Sequence, residues 1–234
     1  MTARPAPAAD QLRHRLEGCI GEPLSSAGPA VAPDPVNVPM IRHWVDALDD
    51  RDPVYLDETV AGRSRFGGIV APPAMLQTWT MARPRIEGIA ARGGAAMELS
   101  ADTPLAILAA AGYTATLATN SELEFARYLR IGDQLSSTAV LESVSDQKTT
   151  RLGTGYFVTW VTDYLTQDGS LAGRQRFRVF RFAPGSATRD GRPREPERRP
   201  DRLAGVSGDP DQQAQQLGRK HGWTTFFHVH WKRC

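Results

Sequence analysis

The chain has 234 residues and carries 28 Lys and Arg against 26 Asp and Glu, a net charge of +2. So small a charge gives no global field to hold nucleic acid or an anionic membrane, and no apolar run reaches the roughly 18 residues that span a bilayer. Cys19 and Cys234, the 2 cysteines, make no disulfide scaffold and fit a reducing cytoplasm, and the start MTARPAPAAD lacks the apolar core of an export signal.

Residues 1–34 read as an N-terminal arm with one short helix. Between Asp10 and Ile20, Leu12, Leu16 and Ile20 recur every four residues, the spacing of an amphipathic helix. A second helix is expected to start near Asn37, an N-cap, with Pro39 in its first turn. Met40, Ile41, Trp44, Val45 and Leu48 give it an apolar face. Asp49 and Asp50 then stand at its C-terminal end, where the dipole favours cations, so they need another partner or water. Asp52-Pro53 reads as a turn, Asp57 to Ala61 as a short helix and Gly67-Gly68 as a break. Pro72-Pro73 suits the opening of a helix over Ala74 to Thr80. The Ala-rich stretch 81–111, interrupted by Gly and Pro, shows no assignable pattern.

From Tyr113 the pattern changes to strands, at Thr114–Tyr128, Gln134–Val144, Gly155–Leu165 and Leu171–Phe182. Tyr156, Val158 and Trp160 alternate with Phe157, Thr159 and Val161, so that strand carries bulk on both faces. In the last strand Phe177 and Val179 oppose Arg174, Arg176 and Arg178, as on a half-exposed strand. Gln167-Asp168-Gly169-Ser170 is a hairpin turn and Ser145-Asp146-Gln147-Lys148 a weaker one. Helices followed by an antiparallel meander define an α+β class.

Residues 184–234 are expected to be a largely disordered tail, because 185–216 hold almost no apolar side chains. The arginines from Arg189 to Arg202 are interleaved with Asp190, Glu195, Glu197 and Asp201, a solvated linker rather than a nucleic-acid arm. Trp223, Phe226, Phe227 and Trp231 restore aromatics at the end without an evident role. His221, His228, His230 and Cys234 raise a metal reading, but neither a second cysteine pair nor an acidic ligand accompanies them, and no metal is expected. Gly153-Thr-Gly155 opens a strand and not a helix, which argues against a nucleotide loop.

The most informative stretch is Trp44-Val-Asp-Ala-Leu-Asp-Asp50-Arg-Asp-Pro53-Val-Tyr55-Leu-Asp57, followed by Gly67-Gly-Ile-Val-Ala-Pro-Pro73-Ala-Met75. It resembles the MaoC-like hydratases and dehydratases, in particular their FAS1-like dehydratase N-terminal branch. Pro35-Val-Asn-Val-Pro-Met-Ile-Arg-His-Trp44, Ala71-Pro-Pro-Ala-Met-Leu-Gln-Thr-Trp79-Thr-Met81, Leu152-Gly-Thr-Gly-Tyr-Phe-Val-Thr159 and Arg174-Gln-Arg-Phe177 are similar to the MaoC-like domain of actinobacterial steroid side-chain enoyl-CoA hydratases. The similarity covers roughly 35–183 and implies a hot-dog fold, an antiparallel sheet wrapped around a central helix. In such hydratases a zinc-bearing OB-like domain often follows. Its paired Cys-x-x-Cys motifs are absent here, which leaves a shorter architecture or a truncated one.

The resemblance also implies a chemistry. Catalytic members carry Asp and His five residues apart, which activate a water for addition to a trans-2-enoyl thioester, while a backbone N–H at a helix start polarises the carbonyl. Asp50 falls on the family's Asp, and Pro53 is kept. Tyr55 stands where the His belongs, and a phenol with an ordinary pKa of about 10 is a poor base at neutral pH. Pro72 and Pro73 replace the turn that supplies the N–H, and proline has none to donate. The resemblance therefore implies an accessory, non-catalytic hot-dog subunit in a hetero-oligomer. A catalytic MaoC-like partner would hydrate the double bond of a bulky acyl-CoA such as a steroid side-chain thioester. Trp44, Pro72, Pro73, Met75 and Trp79, with Leu76 and Met81, are candidates to line or brace the acyl tunnel. Arg63 and Arg65 are candidates to meet a coenzyme A phosphate. Coenzyme A enters as part of the substrate, and no separate cofactor is expected. Two alternatives stay open: an acyl-CoA-binding or scaffolding module without hydration, and a stand-alone hydratase or thioesterase using Asp50 with Tyr55.

Overall fold

Strands joined by tight turns favour antiparallel pairing of sequence neighbours. The computed structural model, which describes residues 7–81, 86–88, 103–184 and 227–231, bears this out between 135 and 184, whereas the strand at 115–125 departs from the expected meander and crosses over to pair with 171–184. All the described residues fall in one of the two units into which the chain divides, the other being Ser186–Phe226. The strands are β1 (Ala30–Val31), β2 (Ala115–Phe125), β3 (Leu135–Val144), β4 (Lys148–Thr150), β5 (Gly153–Thr166), β6 (Leu171–Pro184) and β7 (Phe227–Trp231). Their order is β1-β3-β5-β6-β2-β7, with β4 on β5. Every pairing is antiparallel except β2 with β7, which is parallel. The expected hairpin turn joins β5 to β6. There Asp168 Oδ1 accepts from Thr166 Oγ1 at 2.6 Å and from Ser170 N at 3.0 Å, and Gly169 takes φ 80°, a conformation glycine adopts without steric cost. The fold is the hot dog that the sequence motifs imply.

The helices are α1 (Pro7–Glu17), α2 (Val38–Leu48), α3 (Glu58–Arg63) and α4 (Pro104–Ala110), with 3₁₀ turns at Pro53–Tyr55 and Pro73–Thr78. Asn37 caps α2 as expected, accepting from Met40 N at 3.0 Å. Only part of the expected apolar face is covered: Ile41 and Val45 are buried, whereas Met40 is 39% and Leu48 62% exposed. The predicted helix over Ala74 to Thr80 is instead the 3₁₀ turn. Three residues per turn stack Leu76 and Trp79 on one side, and both are buried with Met75. α4, 7 residues long, packs on the sheet through Ile107 and Leu108.

Even-numbered β5 residues project to one face of the sheet, and two apolar clusters form there. Ile41 and Val45 of α2 and Met75, Leu76 and Trp79 meet Leu123, Phe125, Leu135 and Tyr164 in the first. Leu16 of α1 and Ile107 and Leu108 of α4 meet Leu141, Tyr156, Val158 and Val179 in the second. The N-terminal arm is thus built into the packing. Gln175 pairs with Thr162, between the Trp160–Phe177 and Tyr164–Gly173 pairs. It makes a polar layer between the clusters: its Oε1 accepts from Tyr164 Oη at 3.1 Å, and its Nε2 donates to Gln77 Oε1 at 2.9 Å and Ser121 Oγ at 3.0 Å. On the opposite face Phe157 packs on Phe180 with ring centroids 4.8 Å apart, and Arg174 pairs with Asp163 at 2.5 Å. That is the half-exposed strand expected of β6.

Candidate functional site

Asp50, the first candidate catalytic residue, is placed by the end of α2. Asp49 adopts the left-handed region at φ 51° and ends the helix. Asp50 N then donates back to Val45 O at 2.9 Å. The two acids find the partners that the helix dipole denies them. Asp49 Oδ1 accepts from Arg51 Nε at 2.9 Å, and Asp50 Oδ1 accepts from Asp52 N at 3.1 Å. Asp52 caps the next turn by accepting from Val54 N at 3.1 Å, and Asp57 caps α3 by accepting from Thr59 N at 2.8 Å. A run of acids in sequence thus becomes a series of turn-forming carboxylates.

These carboxylates line an open cavity of 740 Å³ between α2 and α3, with Asp46, Asp49, Asp50, Asp52, Asp57 and Glu58 on its wall and Arg51 as the lining cation. So much like charge repels phosphate groups. Among the described residues, no group of three His, Cys, Asp or Glu has the geometry to hold a metal ion.

Tyr55, the second candidate, is not among the residues that line this cavity. The 3₁₀ turn places it, half-buried, against the first apolar cluster beside Trp44 and Ile69. Burial, reinforced by Tyr128, Asp50 and Asp52, pushes its hydroxyl up to about 12. At neutral pH it is a phenol, able to donate a hydrogen bond but not to take a proton. Asp50 is exposed and Tyr55 half-buried, and the Asp50 carboxylate still acts on the Tyr55 hydroxyl, helping to hold it protonated.

The remaining candidates divide in the same way. Met75 and Trp79 are core residues, Pro72 is buried, and Trp44 and Pro73 are part-buried. Among the described residues Trp79 Nε1 has no hydrogen-bond partner. Ala71 N, the amide just before the two prolines, already donates to Leu129 O at 2.9 Å. Arg63 and Arg65 are exposed. The Arg65 guanidinium lies 4.8 Å from the Phe66 ring centroid and 5.7 Å from that of Tyr128, and those rings are 4.4 Å apart. Sequence reading missed Phe66 and Tyr128, which lie in different loops, after α3 and after β2, and share no periodicity. It also missed Gln175, although there a signal existed: Gln175 has the parity of Phe177 and Val179, hence the buried face.

Residues 28–173 match the model of the FAS1-like dehydratase domain region. The chain is 44% identical over 171 residues to a probable enoyl-CoA hydratase alpha subunit of Thermomonospora curvata, covering 73% of this chain and 51% of that protein. It is 37% identical over 172 residues to the 3-oxo-4,17-pregnadiene-20-carboxyl-CoA hydratase alpha subunit of Mycobacterium tuberculosis, covering 70% and 51%. The chain thus spans about half the length of these curated relatives. The crystal structure of the ChsH1-ChsH2 complex from Mycobacterium tuberculosis superposes with a TM-score of 0.62 at 33% identity, covering 76% of this chain and 95% of that chain.

Proposed function

The chain belongs to the FAS1-like dehydratase family, and from that premise we propose that it is the non-catalytic hot-dog subunit of a heteromeric enoyl-CoA hydratase. A partner MaoC-like chain supplies the acid/base pair and the carbonyl-polarising amide. This chain shapes the space for a bulky acyl group of the steroid side-chain type. Two relatives carry alpha-subunit names, one of them for a steroid carboxyl-CoA, and a matching structure is a complex; these support the reading.

The observation that carries it is the state of Tyr55. Hydration needs a base to take a proton from water as its oxygen bonds the β-carbon, and an acid to return a proton to the α-carbon. A hydroxyl held up to about 12 serves neither step well near pH 7. The second requirement, an N–H aimed at the thioester oxygen, fails independently. Ala71 N is already engaged, and residues 72 and 73 are prolines. The acidic cavity disfavours a coenzyme A head group. The exposed Arg65 on its Phe66–Tyr128 shelf offers the cation and rings that such a head group stacks on. The core positions of Met75 and Trp79 make them braces of the acyl space, while the part-buried Trp44 fits its wall.

The test is hydration of a trans-2-enoyl-CoA by the purified chain, alone and after co-expression with a MaoC-like chain that keeps the Asp/His pair. Turnover only in the pair is expected. Turnover by the chain alone would overturn the reading, and thioester binding without turnover in the pair would leave a binding module in its place.

A further inference from the structure

β6 carries Arg174, Arg176, Arg178 and Arg181. The first three stand on the exposed face, and each has a partner. Arg174 Nη2 donates to Asp163 Oδ2 at 2.8 Å, Arg176 Nη2 meets Glu142 Oε2 at 2.6 Å, and Arg178 Nη2 donates to Asn120 Oδ1 at 2.5 Å. Arg181 has the opposite parity and lies on the inner face with Phe177 and Val179. It is 4% exposed. Among the described residues its one hydrogen bond runs from Nη1 to Thr116 Oγ1, and its buried Nε has no acceptor.

Electrostatics favours the reverse arrangement, because an unpaired charge costs far more when buried than when exposed. Arg181 stands between Tyr156 of β5 and Thr116 of β2 across the sheet, and between Val179 and Ala183 along its own strand. α4, Pro-Leu-Ala-Ile-Leu-Ala-Ala, brings no acid to this cluster. Glu17 of α1 and Asp146 of the β3–β4 turn are both engaged by Arg13. Hydrogen bonds to Asp163 and Glu142 push Arg174 and Arg176 up, whereas burial pushes Arg181 down. The guanidinium is cationic at neutral pH all the same. Thr116 is exposed, so this buried cation lies one side chain below solvent.

We propose that Arg181 is a binding site for the carboxylate of a small molecule, reached beside Thr116. A guanidinium matches the two oxygens of a carboxylate with two parallel N–H bonds, and the Nε side of Arg181 is the one left open. The groups around it, Thr116, Tyr156 and Tyr113, whose ring stands edge-on to Tyr156 at 5.1 Å, are hydroxyls without charge. One cation here balances one negative charge, and a phosphate dianion would leave a buried charge uncompensated. The site shares no residue with the acidic cavity, and the inference does not depend on the two-chain reading.

The test is thermal unfolding of the full chain in acetate, with chloride holding the ionic strength constant, for the wild type, Arg181→Met and Thr116→Val. An anion that binds the folded state raises Tm with its concentration. The wild-type Tm should climb with acetate, and by less with phosphate at the same concentration. Arg181→Met should bind acetate at least about tenfold more weakly, since a charge-assisted hydrogen bond is lost, and its Tm should stay flat. Thr116→Val leaves the guanidinium without its protein acceptor, so this variant should melt below the wild type in chloride and recover in acetate. An equal acetate response in the wild type and Arg181→Met overturns the site, as does a wild type that responds to neither anion. A larger response to phosphate than to acetate overturns the carboxylate assignment. If Arg181→Met does not fold, Thr116→Val decides alone, and a deficit that acetate leaves unchanged overturns the proposal.

Discussion

At the scale of single residues, Asp49 and Tyr55 show how one stretch of sequence serves turn formation at the expense of chemistry. Asp49 holds a left-handed conformation at φ 51° that strains any side chain with a Cβ. Asp49→Gly should therefore raise stability by about 1 kcal/mol, read as a higher urea midpoint at unchanged slope. Tyr55, Tyr156 and Tyr164 are all pushed up to about 12, chiefly by burial, above the ordinary value of about 10. A folded-state pKa above the unfolded one gives stability that is complete below pH 10 and is lost as pH rises through about 12. The native protein should thus develop phenolate absorbance late and unfold in that window. Tyr55→Phe should remove one late-titrating group. An early phenolate signal in the native protein that disappears in Tyr55→Phe would contradict the assignment of Tyr55 as a held phenol.

At the scale of elements, Gly173 shows why the 3₁₀ turn can press on the sheet. A Cβ there would lie 2.6 Å from Leu76 Cδ2 and 2.6 Å from Glu124 O. Gly173→Ala should cost about 1–3 kcal/mol by pushing the turn off β6, measurable by thermal or urea unfolding. Leu16 of α1 is 2% exposed against α4 and the sheet, so Leu16→Ala should cost about 2–5 kcal/mol. A cost near zero would mean that the arm is only laid over the sheet. The long strands β2, β3, β5 and β6 were legible in the sequence because alternation and the Asp168-Gly169 turn are local signals, whereas the 3-residue β4 was not. β1 was not, since 2 residues carry no period. The 3₁₀ geometry of Pro73–Thr78 was not either, because six residues fit both periods and the buried positions of Leu76 and Trp79 are settled by packing.

At the scale of the whole molecule, sequence motifs led to the family and to the two substituted positions, Tyr55 and Pro72-Pro73. They did not reveal that Asp50 is exposed on an acidic cavity while Tyr55 is half-buried against the first apolar cluster. That difference depends on the backbone reversal at Asp49, which a sequence with Asp at that position does not announce. Nor did alternation disclose β7, which pairs in parallel with a strand about a hundred residues earlier. The account therefore treats this chain as scaffold and wall, and assigns the proton transfers to a second chain. The most direct measurement is kcat of the reconstituted pair carrying Asp50→Ala in this chain. The account predicts kcat within about twofold of the unsubstituted pair. A loss of about 10²-fold or more, the size expected on removing an acid/base group, would contradict it.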